Sequence, residues 1–301
     1  MTVGDPEGPK GRFRNKLREK DLIVTVELSP PKGTATEEIL LHADLLREKV
    51  DAFNVTDNQR AIMRMSPLAL SHLLKERGLE PILQLTCRDR NRLALQSELL
   101  SAYALGIENF CFMTGDHPLL GDHPTGKPVY DCDSVQLISL ARGLERGEDF
   151  AGRKLSGVPS FVIGAVANPL AEPLEPQLIK LRKKVAAGIE FIQTQPIFDQ
   201  EPLEKFLEMT SGLNVRFLIG ITPLKSARMV EFMNHKILVK PIPMAVAERI
   251  NKAKDPVREG ITIAAELMAK IKSYVSGFHI MPIGLERELP ELFEQAGIEK
   301  A

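Results

Sequence analysis

The sequence predicts a single (β/α)8 barrel, and three observations predict it. Eight short apolar or β-branched runs alternate with amphipathic stretches along nearly the whole chain. Each run but the last is followed by a helical pattern, the arrangement that parallel strands need for their crossovers. No composition break divides the 301 residues, a length that suits one barrel of about 200–300 residues. The expected organisation is a flexible arm and basic helix over 1–21, then a barrel over 22–301.

Residues 2–11 hold three glycines and two prolines among charges, which predicts a disordered arm. Residues 12–21 are basic, with Phe13 and Leu17 one helical turn apart. Two readings stand for this helix: a solvated helix that closes one end of the fold, or a docking site for a partner. The stretch 23–32 begins as a β-branched strand, carries Glu27, and is stopped by Ser29, Pro30 and Pro31. Thr36, Glu37 and Glu38 open the next helix, with Ile39, Leu40, Ala43, Leu46 and Val50 as its apolar stripe. Further strands are expected at 52–56, 81–86, 109–114, 160–166, 191–195, 216–221 and 277–282. Helices are expected at 67–77, 92–105, 134–145, 175–187, 202–209, 227–233, 245–253 and 260–274. Two connections, 116–133 and 167–176, exceed simple turns, and long loops after barrel strands commonly carry function.

Composition narrows the classes. A net charge of −1 disfavours a nucleic-acid surface. Cys87, Cys111 and Cys132 lie far apart and the six histidines lack ligand spacing, so no metal site is expected. Reduced, buried thiols, no apolar run of about 20 residues and no leader pattern point to a cytoplasmic protein off the membrane. Neither a dinucleotide fingerprint nor a phosphate loop is present.

A carboxylate inside an apolar strand costs free energy unless it is paired, hydrated or used. Glu27 is such a residue, and a barrel would bring it together with Thr56, Thr86, Asp116, Asn168 and Gln195, each at or just after a strand's carboxyl end. Each has a structural reading when taken alone; together they imply a polar ligand. Lys180, Arg182, Lys183 and Lys184 form a basic cluster on the helix before Gln195, either a solvated face or a grip on a ligand's phosphates.

Five ordered motifs carry a resemblance. Val26-Glu27-Leu28-Ser29-Pro30-Pro31, Asn54-Val55-Thr56, Leu85-Thr86-Cys87, Thr114-Gly115-Asp116-His117-Pro118 and Thr194-Gln195-Pro196-Ile197-Phe198-Asp199 resemble those of 5,10-methylenetetrahydrofolate reductases. The likeness runs from about 23 to 282. It implies noncovalent FAD and reduction of 5,10-methylenetetrahydrofolate to 5-methyltetrahydrofolate in one-carbon metabolism. It further implies Glu27 as general acid, Asp116 beside pterin and flavin, and Gln195 bonded to the pterin. Thr56, Gln84, Gly115, Asp116, Asn168, Lys183 and Lys184 would contact the cofactor, the lysines near its phosphates.

Several positions depart from the family pattern. Gln84 stands where many relatives have histidine, Thr114 where an arginine is expected, and 164–169 lacks the tyrosine and histidine of a flavin-contacting motif. The segment 221–227 has no aromatic residue to stack a nicotinamide, which disfavours NADH as donor. In this the chain resembles the branch, found in anaerobic one-carbon pathways, that takes electrons from an iron–sulfur partner subunit; an oligomer is expected. Two rival classes remain on the sequence alone: a pterin-dependent methyltransferase, and a noncatalytic barrel subunit of a redox complex.

Overall fold

Every strand run of the sequence becomes a strand, and the eight close on themselves. The computed structural model describes residues 12–19 and 21–298; the arm expected over 2–11 lies outside these residues. The elements in chain order are α1 (Arg12–Glu19), β1 (Ile23–Leu28), α2 (Glu37–Leu46), β2 (Ala52–Val55), α3 (Pro67–Glu76), β3 (Pro81–Thr86) and α4 (Arg92–Ala104). There follow β4 (Asn109–Met113), α5 (Ser134–Glu145), β5 (Val162–Ala167), α6 (Glu175–Ala187), β6 (Phe191–Pro196), α7 (Gln200–Thr210) and β7 (Arg216–Ile221). The chain ends with α8 (Ala227–Lys236), α9 (Met244–Lys252), α10 (Pro256–Ile271), β8 (Gly277–Ile280) and α11 (Leu289–Gln295). Strands pair in sequence order, and β8 pairs parallel with β1 to close the barrel.

Strand alternation divides the barrel into an inside and an outside. Ile23, Ala52, Ile82, Cys111, Val162, Phe191 and Leu218 form an inner apolar plug at the strands' amino ends. The intervening residues of the same strands, among them Val26, Phe53, Leu83 and Phe110, pack outward with the helices into the main core. The same period puts Thr25, Glu27, Asn54, Gln84, Gln193 and His279 on the inner face above the plug.

Helix α1 resolves one open reading. Phe13 and Leu17 join the inner plug, and the Phe13 ring meets Phe191 edge-on at 5.7 Å. The helix closes the amino end of the barrel, but its apolar side is wholly buried rather than solvated, with Phe13 at 0% exposure.

Two other expectations are corrected. The last strand is not the final element: α11 follows β8 and buries Leu289, Leu292 and Phe293, a short amphipathic turn that Pro282 and Gly284 obscured by signalling a stop. Helix α10 starts at Pro256, where proline suits the first turn and the Asp255 side chain accepts from Arg258 N. The remaining boundaries differ by a few residues, largely at frayed ends.

Phe13→Ala should lower the unfolding free energy by about 3–5 kcal/mol, because it empties a position filled by a fully buried ring. Urea denaturation measures this, and an unchanged midpoint would mean that the helix does not close the barrel.

Candidate active site

Glu27 stands one residue before the end of β1, on the inner face, and is 8% exposed. A hydrogen-bond donor and a ring nitrogen face its carboxylate. Gln59 Nε2 donates to Oε1 at 2.7 Å, and His279 Nε2 lies 3.6 Å from Oε2. Gln59 is presented by a turn after β2 in which Asn58, Arg60 and Ala61 take positive φ angles of 44°, 57° and 56°. Such backbone persists where surroundings over-determine it. Here Asn58 Oδ1 accepts from Arg64 N, and the Arg60 guanidinium sits 4.6 Å from the ring centre of Phe232 on α8.

Beneath Glu27 the barrel interior is polar and connected. Asn54 Nδ2 lies 3.1 Å from His279 Nδ1, Thr25 Oγ1 lies 3.2 Å from the same nitrogen, and Gln193 Nε2 donates to Asn54 Oδ1 at 2.7 Å. Side chains from β6, β2, β8 and β1 thus form one chain of contacts ending at Glu27.

The loops after β2 and β4 meet over the mouth. Met63 N donates to Asp122 Oδ1 at 3.0 Å, and Lys32 Nζ reaches Asp122 Oδ2 at 2.5 Å. The fit leaves no room at Gly121, where an added Cβ would lie 1.8 Å from Ala61 O.

The other sequence-predicted residues are placed as follows. Thr56 is fully buried and donates its hydroxyl to Ser29 Oγ at 3.2 Å. Gln84 is buried on β3, 6% exposed. Gly115 has φ +92°, and a Cβ there would lie 3.0 Å from Thr86 Cβ, so the bend after β4 suits glycine. Asp116 is exposed, and its main-chain oxygen accepts from Arg88 Nη1 at 3.3 Å. Asn168 is half-buried and closes its own turn, Oδ1 accepting from Leu170 N at 2.9 Å. Gln195 is exposed at the end of β6, where the register with β7 shifts between Gln193 and Pro196 and re-aims the strand end. Thr86 serves the scaffold: its amide and hydroxyl both donate to Asp57 Oδ2, which Arg90 also meets at 2.8 Å.

The basic cluster on α6 divides by helical phase. Lys180 and Lys184, one turn apart, point to the barrel: Lys180 Nζ lies 3.5 Å from Thr114 Oγ1, and Lys184 Nζ donates to Val166 O at 2.5 Å. Lys183 is exposed at the margin of that face, and Arg182 is exposed as well. Lys184 is 5% exposed and hydrogen-bonded to a carbonyl rather than a carboxylate. Burial, then the neighbouring Lys180 ammonium, push its pKa down to about 8. A buried ammonium of this kind suits an anionic ligand.

Gln59, Asn54, Gln193 and His279 were not singled out as site residues from the sequence. Asn54, Gln193 and His279 were findable, because they share inward parity with Glu27 in their strands. Gln59 lies in an irregular turn that periodicity does not describe. Among the described residues no group of three or more His, Cys, Asp or Glu could hold a metal ion, and no helix is long and apolar enough to cross a membrane.

A closed parallel barrel with a buried acid and polar side chains at its strands' carboxyl ends is the architecture of a barrel enzyme. Residues 12–297 match the methylenetetrahydrofolate reductase family, and the chain belongs to that family. It is similar to methylenetetrahydrofolate reductase 2 of Schizosaccharomyces pombe, 25% identical over 94% of this chain and 47% of the relative. It is also similar to the 5,10-methylenetetrahydrofolate reductase of Escherichia coli, 26% identical over 85% of this chain and 84% of the relative. The chain thus spans about half the length of the fission-yeast relative. Among solved structures, EDTA monooxygenase from Chelativorans sp. BNC1 (TM-score 0.53, 12% identity, 92% of this chain and 95% of that one) shares the fold. So does 2,3-dimethylmalate lyase (TM-score 0.51, 14% identity, 95% and 87%).

The buried ammonium yields a prediction. The folded pKa of Lys184 lies below its ordinary 10.5, so burial destabilises the fold fully below about pH 8 and progressively less as pH rises toward 10.5. Lys184→Met should therefore raise the unfolding free energy near neutral pH by about 1–3 kcal/mol. It should also abolish the gain in stability that the wild type shows between those pH values. Urea denaturation across that range measures both, and a variant less stable than wild type would contradict the assignment.

Proposed function

We propose that this chain reduces 5,10-methylenetetrahydrofolate to 5-methyltetrahydrofolate with noncovalently bound FAD. The observation that carries the reading is Glu27: a carboxyl group buried at a strand end, hydrogen-bonded by Gln59, inside a chain of this family. FAD presents a diphosphate and a flat ring system, and the residues here fit it. Lys184 and Lys180 supply cationic charge from one helix face, with Lys183 at its solvent edge. Gly115 keeps the bend after β4 free of a side chain, and by the family resemblance Thr56, Gln84, Asp116 and Asn168 would contact the cofactor. When bound, the flavin supplies the hydride.

The chain's own residues do the rest. Opening the five-membered ring of the substrate releases an amine that must be protonated, and Glu27 delivers that proton as general acid. The resulting iminium is cationic, and the Asp116 carboxylate stabilises it electrostatically. Gln195, exposed at the end of β6, hydrogen-bonds the pterin and fixes its orientation. The joined loops after β2 and β4 keep water from the Glu27 side of the mouth.

The electron donor is proposed to be a protein. The loop after β7 offers Thr222, Pro223, Leu224, Lys225 and Ser226 and no ring to stack a nicotinamide. Phe232, farther along α8, lies against the Arg60 guanidinium. An iron–sulfur partner subunit meets the need, since this chain has no cysteine spacing for a cluster.

Glu27→Gln should slow reoxidation of the reduced flavoprotein by methylenetetrahydrofolate at least about 100-fold, the usual scale of general acid catalysis. Flavin content and its reduction by dithionite should stay as in wild type. Stopped-flow absorbance separates the two half-reactions, and a variant that reduces folate at the wild-type rate would refute the general-acid role.

A further inference from the structure

We propose that His279 is the positioning residue of Glu27, holding its carboxyl group in the rotamer that delivers the proton. The inference deepens the reading of Glu27 as general acid and rests on it.

The hydrogen bonds of the interior chain determine which ring nitrogen of His279 carries hydrogen. Gln193 Nε2 donates to Asn54 Oδ1 at 2.7 Å, which turns the Asn54 amide so that its NH2 faces His279 Nδ1 at 3.1 Å. Thr25 Oγ1, 3.4 Å from Phe278 O, stands closer to the same ring nitrogen at 3.2 Å, and its hydroxyl hydrogen can turn to that nitrogen. A nitrogen that receives an amide donor is an acceptor, so the hydrogen of the neutral ring sits on Nε2. That nitrogen faces Glu27 Oε2 at 3.6 Å, across a gap from which bulk water is excluded: the His279 and Glu27 side chains are 4% and 9% exposed. Contacts of this kind tighten when substrate closes the site.

The consequence falls on the two carboxyl oxygens. Gln59 Nε2 donates to Oε1 at 2.7 Å from the turn over the mouth, and Nε2–H of His279 faces Oε2 from below at 3.6 Å. Together they fix the carboxyl rotamer, and without the ring nitrogen the carboxyl group is free to turn away from the substrate's nitrogen. The register of the barrel makes this arrangement possible, because β1 pairs Thr25 with His279 and Glu27 with Asn54 on its two sides.

Two variants separate positioning from packing. In His279→Asn the new amide oxygen can take the place of Nδ1 and keep Asn54 bonded, while Oε2 loses its donor. In His279→Gln the new amide nitrogen can take the place of Nε2 and keep that donor, while Asn54 loses its acceptor. The experiment mixes each dithionite-reduced flavoprotein with methylenetetrahydrofolate and follows the flavin band, with Glu27→Gln as reference. The expected result is a loss of about 10- to 100-fold for His279→Asn, the cost of a misplaced catalytic group. His279→Gln should recover most of the rate, with flavin content equal in both. A structural role would give the reverse order, because Asn preserves the interior chain. A silent His279→Asn beside an inactive Glu27→Gln overturns this proposal alone; a silent Glu27→Gln overturns the general-acid reading and this proposal with it. The ring nitrogen resonances of 15N-labelled wild-type protein give a second measurement that needs no variant to fold. They should show the Nε2–H tautomer, and the Nδ1–H tautomer would overturn the inference.

Discussion

The structure turns on one buried carboxyl group. Glu27 sits where a parallel barrel collects the ends of all its strands, and a carboxylate in such a place must be supplied with donors. Gln59 on the strained turn after β2 supplies a hydrogen bond, and His279 on β8 faces the group from inside the barrel at 3.6 Å. Much else follows from that need. Asn54 and Gln193 orient His279, and Asn58 and Arg60 hold the turn that presents Gln59. The inner face of the barrel accordingly changes from apolar at the amino ends, closed by Phe13 and Leu17, to polar beneath the mouth.

A second tension lies at Lys184. Its ammonium is buried against a carbonyl and beside another lysine, an arrangement that weakens the fold. Sites that must receive an anionic group commonly keep such uncompensated charge, because the ligand restores the balance on binding. Phase along α6 separates Lys180 and Lys184 from Arg182, so a cluster that looks uniform in sequence has two faces with different surroundings.

Much of the fold was legible from periodicity. Glu27, Thr56 and Gln195 were visible because proline or a turn marks where their strands stop, and a barrel gathers strand ends. The interior chain was less visible. Asn54, Gln193 and His279 come from three strands far apart in sequence, and only closure of the barrel sets their mutual contacts. Gln59 depends on three departures from ordinary backbone among the four residues 58–61, for which single-residue propensity offers no sign. Helix α11 was missed because Pro282 and Gly284 read as an ending, whereas the chain turns there and lays one more apolar face on the core.

The most direct measurement is to isolate the protein without oxygen, reduce its flavin with dithionite, and add methylenetetrahydrofolate. The expected result is a yellow protein whose bleached band returns at a catalytic rate as 5-methyltetrahydrofolate forms. A colourless protein that binds folate and passes on a methyl group, or a reduced flavin that folate leaves bleached, would contradict it.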